Sequence, residues 1–350
     1  MTNAVFRNLI FVETLGEKIM AAKKIAFIGG GAWGGALAIV CAKAGRDVIV
    51  WDINQQVVGA VNLRHEFPVH SGIVLSEKIV ATNDMSDLAG ADVFFVTTSI
   101  AGARDVLGKM RTIIGEMPVV MTSKGLEHST GLLAFQVAEE LLGPEAKVAL
   151  LAGPNFASDV AKGKISATVL FSKYPQVAKM LAEALASEVF RPYQSTDIMG
   201  GSVCGVVKNI IAIAAGISDG MGLGENSRAA IITRGLAEMS RLVLKMGGKA
   251  ETVAGLAGVG DLFLTASSMQ SRNYSLGFGI GQGKTVEEIM KARTATTEGV
   301  LSASVINLLA EKYQVEMPLS AAVYEVTSGQ FPAAETVKRL MNRPLKEELA

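Results

Sequence analysis

Residues 24–52, KIAFIGGGAWGGALAIVCAKAGRDVIVWD, read as strand, glycine turn, helix and strand, an order that leaves few folds open. Lys24–Ile28 is a β-rich run that stops at Gly29, and Gly29, Gly31 and Gly34 then give the spacing G-x-G-x-x-G at the opening of a helical segment. The first glycine suits a tight turn, the second lets backbone approach a pyrophosphate, and the third lets helix and strand pack closely. The helix would turn its unpaired N–H groups and the positive end of its dipole towards that phosphate. Glycine makes up 37 of 350 residues, so the pattern alone carries little weight. Its context carries more, because a second apolar run, 48–51, ends in Asp52, placed where an acid holds a ribose 2′-hydroxyl. The plainer alternatives are a glycine turn that binds nothing and, for Asp52, a helix N-cap.

Length alone suggests about two domains for 350 residues. Lys+Arg and Asp+Glu both total 33, which argues against a nucleic-acid or anionic-membrane surface built from bulk charge and leaves room for a local cationic pocket. Cys41 and Cys204 fall in apolar helical segments and read as small buried residues, which fits a reducing cytoplasm. Residues 1–22 read as a loosely attached extension, since the apolar stretch 9–12 is too short for a signal peptide and Glu13 and Glu17 follow it. Translation from Met20 would remove most of it. The apolar run 203–217 is interrupted by Lys208 and Asn209 and is shorter than a bilayer span, so no membrane insertion is expected.

After Asp52, apolar strands are expected at 78–81, 92–97, 118–122 and 148–152, with helices over 102–114 and 131–142. That alternation implies a parallel sheet covered on both faces, with ligands beyond the carboxyl ends of its strands. Further short strands fit 166–171 and 188–193. From residue 198 the segments read as helices, over 202–216, 226–246, 252–266, 286–291, 302–311 and 320–327. The fold class is therefore α/β, with a Rossmann-type parallel-sheet domain over 23–197 followed by an all-helical domain over 198–350.

Several residues could carry chemistry. Lys124 follows the expected strand at 118–122, at the mouth of the crevice, where a solvated loop lysine is the alternative. The strand at 148–152 runs into Gly153-Pro154-Asn155, and helix capping is the favoured reading of Asn155. Lys208 lies inside a helix that is apolar nearly all round, where desolvation would lower its pKa towards the range of a general base. Asn209 adds a second polar group there, and the alternative is a lysine snorkelling to the flank. Asp261 and Thr265 are four apart, hence on one helix face, although Asp261 alone reads as an N-cap. Residues 270–274 read as a loop rich in donors, in which the Arg272 fork suits a phosphate or is an exposed surface arginine. His65, His70 and His128 have no spacing suited to a metal, and no Ser–His–Asp arrangement is suggested.

Taken together, GGGAWGGALA (29–38), SKGLE (123–127), AGPNFA (152–157), VVKNIIAI (206–213), TRGLAEMSRL (233–242), GLAGVGDLFLT (255–265) and QSRN (270–273) resemble NAD(P)-dependent glycerol-3-phosphate dehydrogenase of the bacterial type. The motifs stand in the right order from about residue 23 to the C-terminal region. The resemblance implies Lys208 as the proton donor or acceptor, with Asp261 holding it or the substrate hydroxyls. It implies substrate contacts at Lys124, Gly153, Asn155, Asp261, Ser271, Arg272 and Asn273, and cofactor contacts at Ala32, Trp33, Lys124, Ala157, Arg272 and Glu298 beside Gly29, Gly31, Gly34 and Asp52. Asn155 departs from the Ser or Thr of many relatives, and Asp52 stands where many have Gly followed by His or Arg to meet a 2′-phosphate. A carboxylate there would repel that phosphate, which favours NAD and leaves NADP open.

The reaction so implied is reversible hydride transfer between nicotinamide and dihydroxyacetone phosphate or sn-glycerol 3-phosphate, supplying glycerol phosphate for phospholipids, in a cytoplasmic homodimer. No metal is implied. A dehydrogenase of the same two-domain design acting on another small hydroxy acid, and a dinucleotide sensor without turnover, are the alternatives.

Overall fold

The computed structural model describes residues 22–293, 297–345 and 347–348. The expected extension 1–22, with the alternative start at Met20, lies outside the described residues except for Ala22, which is buried in the sheet core. Period-two alternation sends the strands' side chains to two cores: Ile25 and Phe27 of β1 (Lys24–Ile28) enter one, Ala26 and Ile28 the other. One eight-stranded sheet results, in the order β3 (Ile79–Thr82), β2 (Asp47–Trp51), β1, β4 (Val93–Val96), β5 (Val119–Met121), β6 (Val148–Ala152), β7 (Ser166–Phe171), β8 (Phe190–Ser195). Strand order reverses at β1, which pairs with β2 on one side and β4 on the other, and the crevice past such a reversal is where open α/β sheets take ligands. Helices α1 (Ala32–Lys43), α2 (Gln55–Arg64), α3 (Ile100–Ile114), α4 (Ala134–Leu142), α5 (Ala157–Ala161) and α6 (Pro175–Leu185) join the strands.

The expected parallel sheet is interrupted once. β6 and β7 pair antiparallel, with Ala152 beside Val169. Their connection holds only the five-residue α5, too short to carry the chain back along the sheet, so β7 begins at the edge where β6 ends. The other ladders are parallel, and the strands lie within one or two residues of the expected limits.

Helices follow from residue 198: α7 (Ile198–Gly220), α8 (Glu225–Lys245), α9 (Ala250–Ala254), α10 (Asp261–Ala266), α11 (Arg272–Gly281), α12 (Val286–Lys291), α13 (Glu298–Lys312), α14 (Pro318–Thr327) and α15 (Ala333–Met341). Three expectations need correction. First, α7 has 23 residues and is long and apolar enough to cross a bilayer, so the length argument against a membrane fails. Burial replaces it, because every residue from Gly200 to Ser218 is buried inside the protein. Second, the single helix expected over 252–266 is broken by a π turn, Leu256–Gly260, in which Gly258 packs so tightly that a Cβ would stand 2.0 Å from the Val253 carbonyl oxygen. Third, residues 272–274 are not loop but the first turn of α11.

Glycine lowers the helix propensity of α11, and packing overrides it. Gly277 and Gly281 of α11 lie against the backbone of α7, while Gly216 and Gly220 of α7 lie against that of α11. A Cβ on Gly216 would stand 2.1 Å from the Tyr274 carbonyl oxygen. Gly216→Ala should therefore cost on the order of 3 kcal/mol, since the two main chains must part. Gly108→Ala, on an exposed helical position where a Cβ meets nothing, should stabilise by about 0.5–1 kcal/mol. Urea midpoints of both variants check the contrast, which equal midpoints would overturn.

Candidate active site

Burial of α7 brings Lys208 to 5 % exposure, and the helix alone offers its ammonium no partner. Two come from α10. Lys208 Nζ donates to Asp261 Oδ1 at 2.5 Å and to Thr265 Oγ1 at 3.0 Å, and Thr265 in turn donates to the Asp261 carbonyl at 2.6 Å. The other carboxylate oxygen of Asp261, itself 1 % exposed, accepts from Lys124 Nζ at 2.8 Å. Lys124 also donates to the Gly153 carbonyl at 3.2 Å, and Asn209 Nδ2 donates to the Lys124 carbonyl at 3.2 Å. The ends of β5 and β6, α7 and α10 thus converge on one ion cluster. Lys208 does not snorkel. Nor does Asp261 cap α10: the π turn runs into that helix through Gly260 in helical conformation, which leaves the carboxylate turned to the lysines.

Burial pushes the Lys208 ammonium down to about 8; Asp261 opposes that shift, and the like charge of Lys124 adds to it. Burial also works to raise the Asp261 carboxyl, but the two ammonium groups outweigh it and hold the acid below its ordinary range. The result is an ionised carboxylate beside an amine poised to gain or lose a proton near neutral pH. Two of the three Lys208 donors are engaged by Asp261 and Thr265, and a third is left for a ligand oxygen. A general acid or base is what this arrangement can be.

The glycine turn follows β1, which β4 separates from β5 in the sheet. Gly29 has φ +114°, open to glycine, and a Cβ on Gly34 would meet the Gly29 carbonyl oxygen at 2.0 Å, so the first and third glycines serve turn and helix–strand contact. Gly31 begins α1 with no side-chain cap, and a Cβ there would meet nothing within 4 Å, which leaves the room a pyrophosphate needs. Ala32 and Trp33 open α1; the Ala32 carbonyl accepts from His70 Nε2 at 2.7 Å, which gives that buried histidine a structural use. Asp52 is not an N-cap. Asn54 caps α2, while Asp52 accepts from Gly30 N at 2.7 Å and from Asn54 N at 2.8 Å. Trp33 Nε1, Thr98 Oγ1, Ser123 Oγ and Asn155 Oδ1 are buried with no hydrogen-bond partner among the described residues. All four follow the carboxyl ends of β1, β4, β5 or β6, where a polar ligand would satisfy them. The residues present fit a dinucleotide.

The remaining positions divide. Asn155 does not cap α5, whose N-cap is Phe156; its Nδ2 donates to the Ala167 carbonyl at 3.0 Å, because the antiparallel β7 brings that group within reach. Ala157 opens α5 and Glu298 opens α13. Ser271 caps α11 by accepting from Tyr274 N at 3.2 Å, and Asn273 Oδ1 accepts from Gly299 N at 3.1 Å. Arg272 between them is exposed, and its carbonyl accepts from Arg293 at 2.7 Å. Arg293 was not singled out from the sequence; it also donates to Ser275 and Thr297, so it joins the starts of α11 and α13, a link that no local pattern marks.

With this geometry in hand, two family profiles match the chain: "NAD-dependent glycerol-3-phosphate dehydrogenase N-terminus" over residues 24–178 and the corresponding "C-terminus" over residues 197–338. A glycerol-3-phosphate dehydrogenase (NAD(P)+) of Rhodospirillum rubrum is 44% identical over 327 residues, 93% of each chain. One of Parvibaculum lavamentivorans is 44% identical over 331 residues, 94% of this chain and 99% of its own. The crystal structure of glycerol-3-phosphate dehydrogenase from Coxiella burnetii superposes with a TM-score of 0.86 at 35% identity, covering 92% of this chain and 99% of that one.

Removing the carboxylate from this cluster strands two ammonium groups. Asp261→Ala should cost about 3–5 kcal/mol at pH 7. The loss should ease as pH rises: Asp261 opposes the downward shift of Lys208, so without it the folded pKa falls below the wild-type value of about 8, further under the unfolded value of about 10.4, and the variant begins to gain stability with alkali at a lower pH than wild type. Urea midpoints at pH 7 and pH 9.5, wild type against variant, test this, and a gap that widens with pH would contradict it.

Proposed function

This chain belongs to the NAD-dependent glycerol-3-phosphate dehydrogenase family, and from that premise we propose that it interconverts dihydroxyacetone phosphate and sn-glycerol 3-phosphate. The observation that carries the reading is the buried Lys208 held between Asp261 and Thr265. The nicotinamide, when bound, supplies or accepts the hydride at C2. Lys208 gives a proton to the C2 oxygen as the ketone is reduced and takes it back as the alcohol is oxidised. Its charge also stabilises the developing alkoxide in a site shielded from water. Asp261 keeps the amine charged and oriented, and Lys124 shares that carboxylate at the substrate side.

In this reading Gly153, Asn155, Ser271, Arg272 and Asn273 complete the substrate contacts, with the Arg272 fork on the phosphate. The oxygens of Ser271 and Asn273 are engaged with Tyr274 and Gly299, which leaves the hydroxyl proton and the amide NH2 for the ligand. Binding energy from the phosphate, remote from the reaction, holds the carbonyl in place. The dinucleotide is held by Gly29, Gly31, Ala32, Trp33, Gly34, Asp52, Lys124, Ala157, Arg272 and Glu298. Asp52, fixed by two backbone amides, favours the 2′-hydroxyl of NAD over a 2′-phosphate.

The division into a cofactor domain over 23–197 and a substrate domain over 198–350, a homodimer, cytoplasmic residence and supply of glycerol phosphate for phospholipids belong to the same proposal. Cys41 and Cys204, both buried and outside any disulfide, fit that compartment.

Purified protein should oxidise NADH faster than NADPH with dihydroxyacetone phosphate; turnover only with 2-keto acids would move the substrate assignment. Lys208→Ala should cut kcat by about a thousandfold and leave NADH binding, read by fluorescence titration, within about twofold. The two directions should also respond oppositely to pH, reduction falling and oxidation rising through about pH 8, because one needs the ammonium and the other the amine. Parallel profiles would remove Lys208 from the proton step.

A further inference from the structure

We propose that Asp197 is a positioning residue for the reaction: its carboxylate ties together the two stretches of chain that deliver Lys208 and Asp261. It lies between the last strand and α7, and is buried. Its Oδ1 accepts from Gly200 N at 2.9 Å, in the first turn of α7. Its Oδ2 accepts from Lys249 N at 2.9 Å and from Thr252 Oγ1 at 2.6 Å, at the start of α9. One oxygen therefore serves each arm.

From Gly200 the first arm reaches Lys208 along about 12 Å of rigid, buried helix. From Thr252 the second arm reaches Asp261 through the rest of α9 and a π turn containing Gly258 and Gly260, a segment with little stiffness of its own. The arms meet again where Lys208 and Asp261 pair. At the base they touch main chain to main chain, since a Cβ on Gly248 would stand 2.9 Å from Gly200 Cα. The arms also pack along their length, α7 against α9, the π turn and α10, and Asp197 is the buried side chain that hydrogen-bonds both arms at the base of the triangle. A shift of one ångström between reacting groups can cost about a hundredfold in rate, which makes the base of the triangle matter at its apex.

This rests on the dehydrogenase reading, and the test separates the two. Asp197→Asn keeps the volume but offers one acceptor oxygen where two are needed, so one arm is released; Thr252→Val removes a single donor from the second arm. In both, kcat for dihydroxyacetone phosphate reduction per folded molecule should fall, about tenfold or more in Asp197→Asn and less in Thr252→Val, with NADH binding unchanged. The descending pH limb should also move below its wild-type position, because the charged groups facing Lys208 are Asp261 on α10, Lys124 after β5 and Glu298 on α13, and withdrawal of Asp261 removes the largest influence that favours the ammonium. Hydrogen exchange should quicken over 256–266 in Asp197→Asn.

Lower melting temperatures with kcat and pH limb unmoved would reduce Asp197 to a helix cap and overturn the proposal. If wild-type protein turns over neither cofactor with dihydroxyacetone phosphate, the functional reading fails, and exchange over 256–266 still decides the tie, unchanged protection counting against it.

Discussion

Keeping a lysine charge inside protein is the constraint on which this structure turns. An ammonium taken out of water is costly, and it persists only beside a carboxylate in good geometry. Here one carboxylate, Asp261, is shared by two lysines, so Lys124, Lys208 and Asp261 together carry an excess positive charge when Lys208 is protonated. Glu298, which Lys208 senses more weakly, does not pair with it. Such a cluster is short of negative charge by its composition, and an anionic ligand or, on the proposed reaction, a developing alkoxide would balance it.

No single element holds this cluster. The sheet brings Lys124 and Gly153 to its carboxyl edge through β5 and β6, where buried polar atoms of Thr98, Ser123 and Asn155 also gather. Lys208 comes from the most buried helix, and Asp261 from a short helix entered through a π turn. The ion cluster exists only when sheet and helices are docked, so it is that docking which assembles the candidate site.

Much of this was legible in the residues because it is local. Apolar runs of four to six residues gave strands to within one or two positions, and the glycine spacing between two of them placed the turn that opens α1. Lys208 could be found because a charge in an all-apolar helix violates the pattern around it. What failed was non-local. Asp261 looks like a cap until the π turn before it is known, and Asn155 looks like one until the reversed β7 supplies the Ala167 carbonyl. The start of α11 reads as loop because glycines that lower its propensity are there to meet α7, which is far away in sequence. Arg293 and Asp197 join segments whose proximity no window of sequence contains.

The contact between α7 and α11 bears on substrate choice. Lys208 lies on one of these helices and Arg272 opens the other, and at Gly216, Gly220, Gly277 and Gly281 no side chain stands between their backbones. Where side chains separate two helices, their spacing drifts whenever a residue grows or shrinks. Here main chain gauges main chain. The span from the amine proposed for proton transfer to the arginine proposed for the phosphate is therefore a ruler cut in peptide geometry, and on that proposal the length of molecule the site accepts is insulated from sequence change elsewhere in the helical layer.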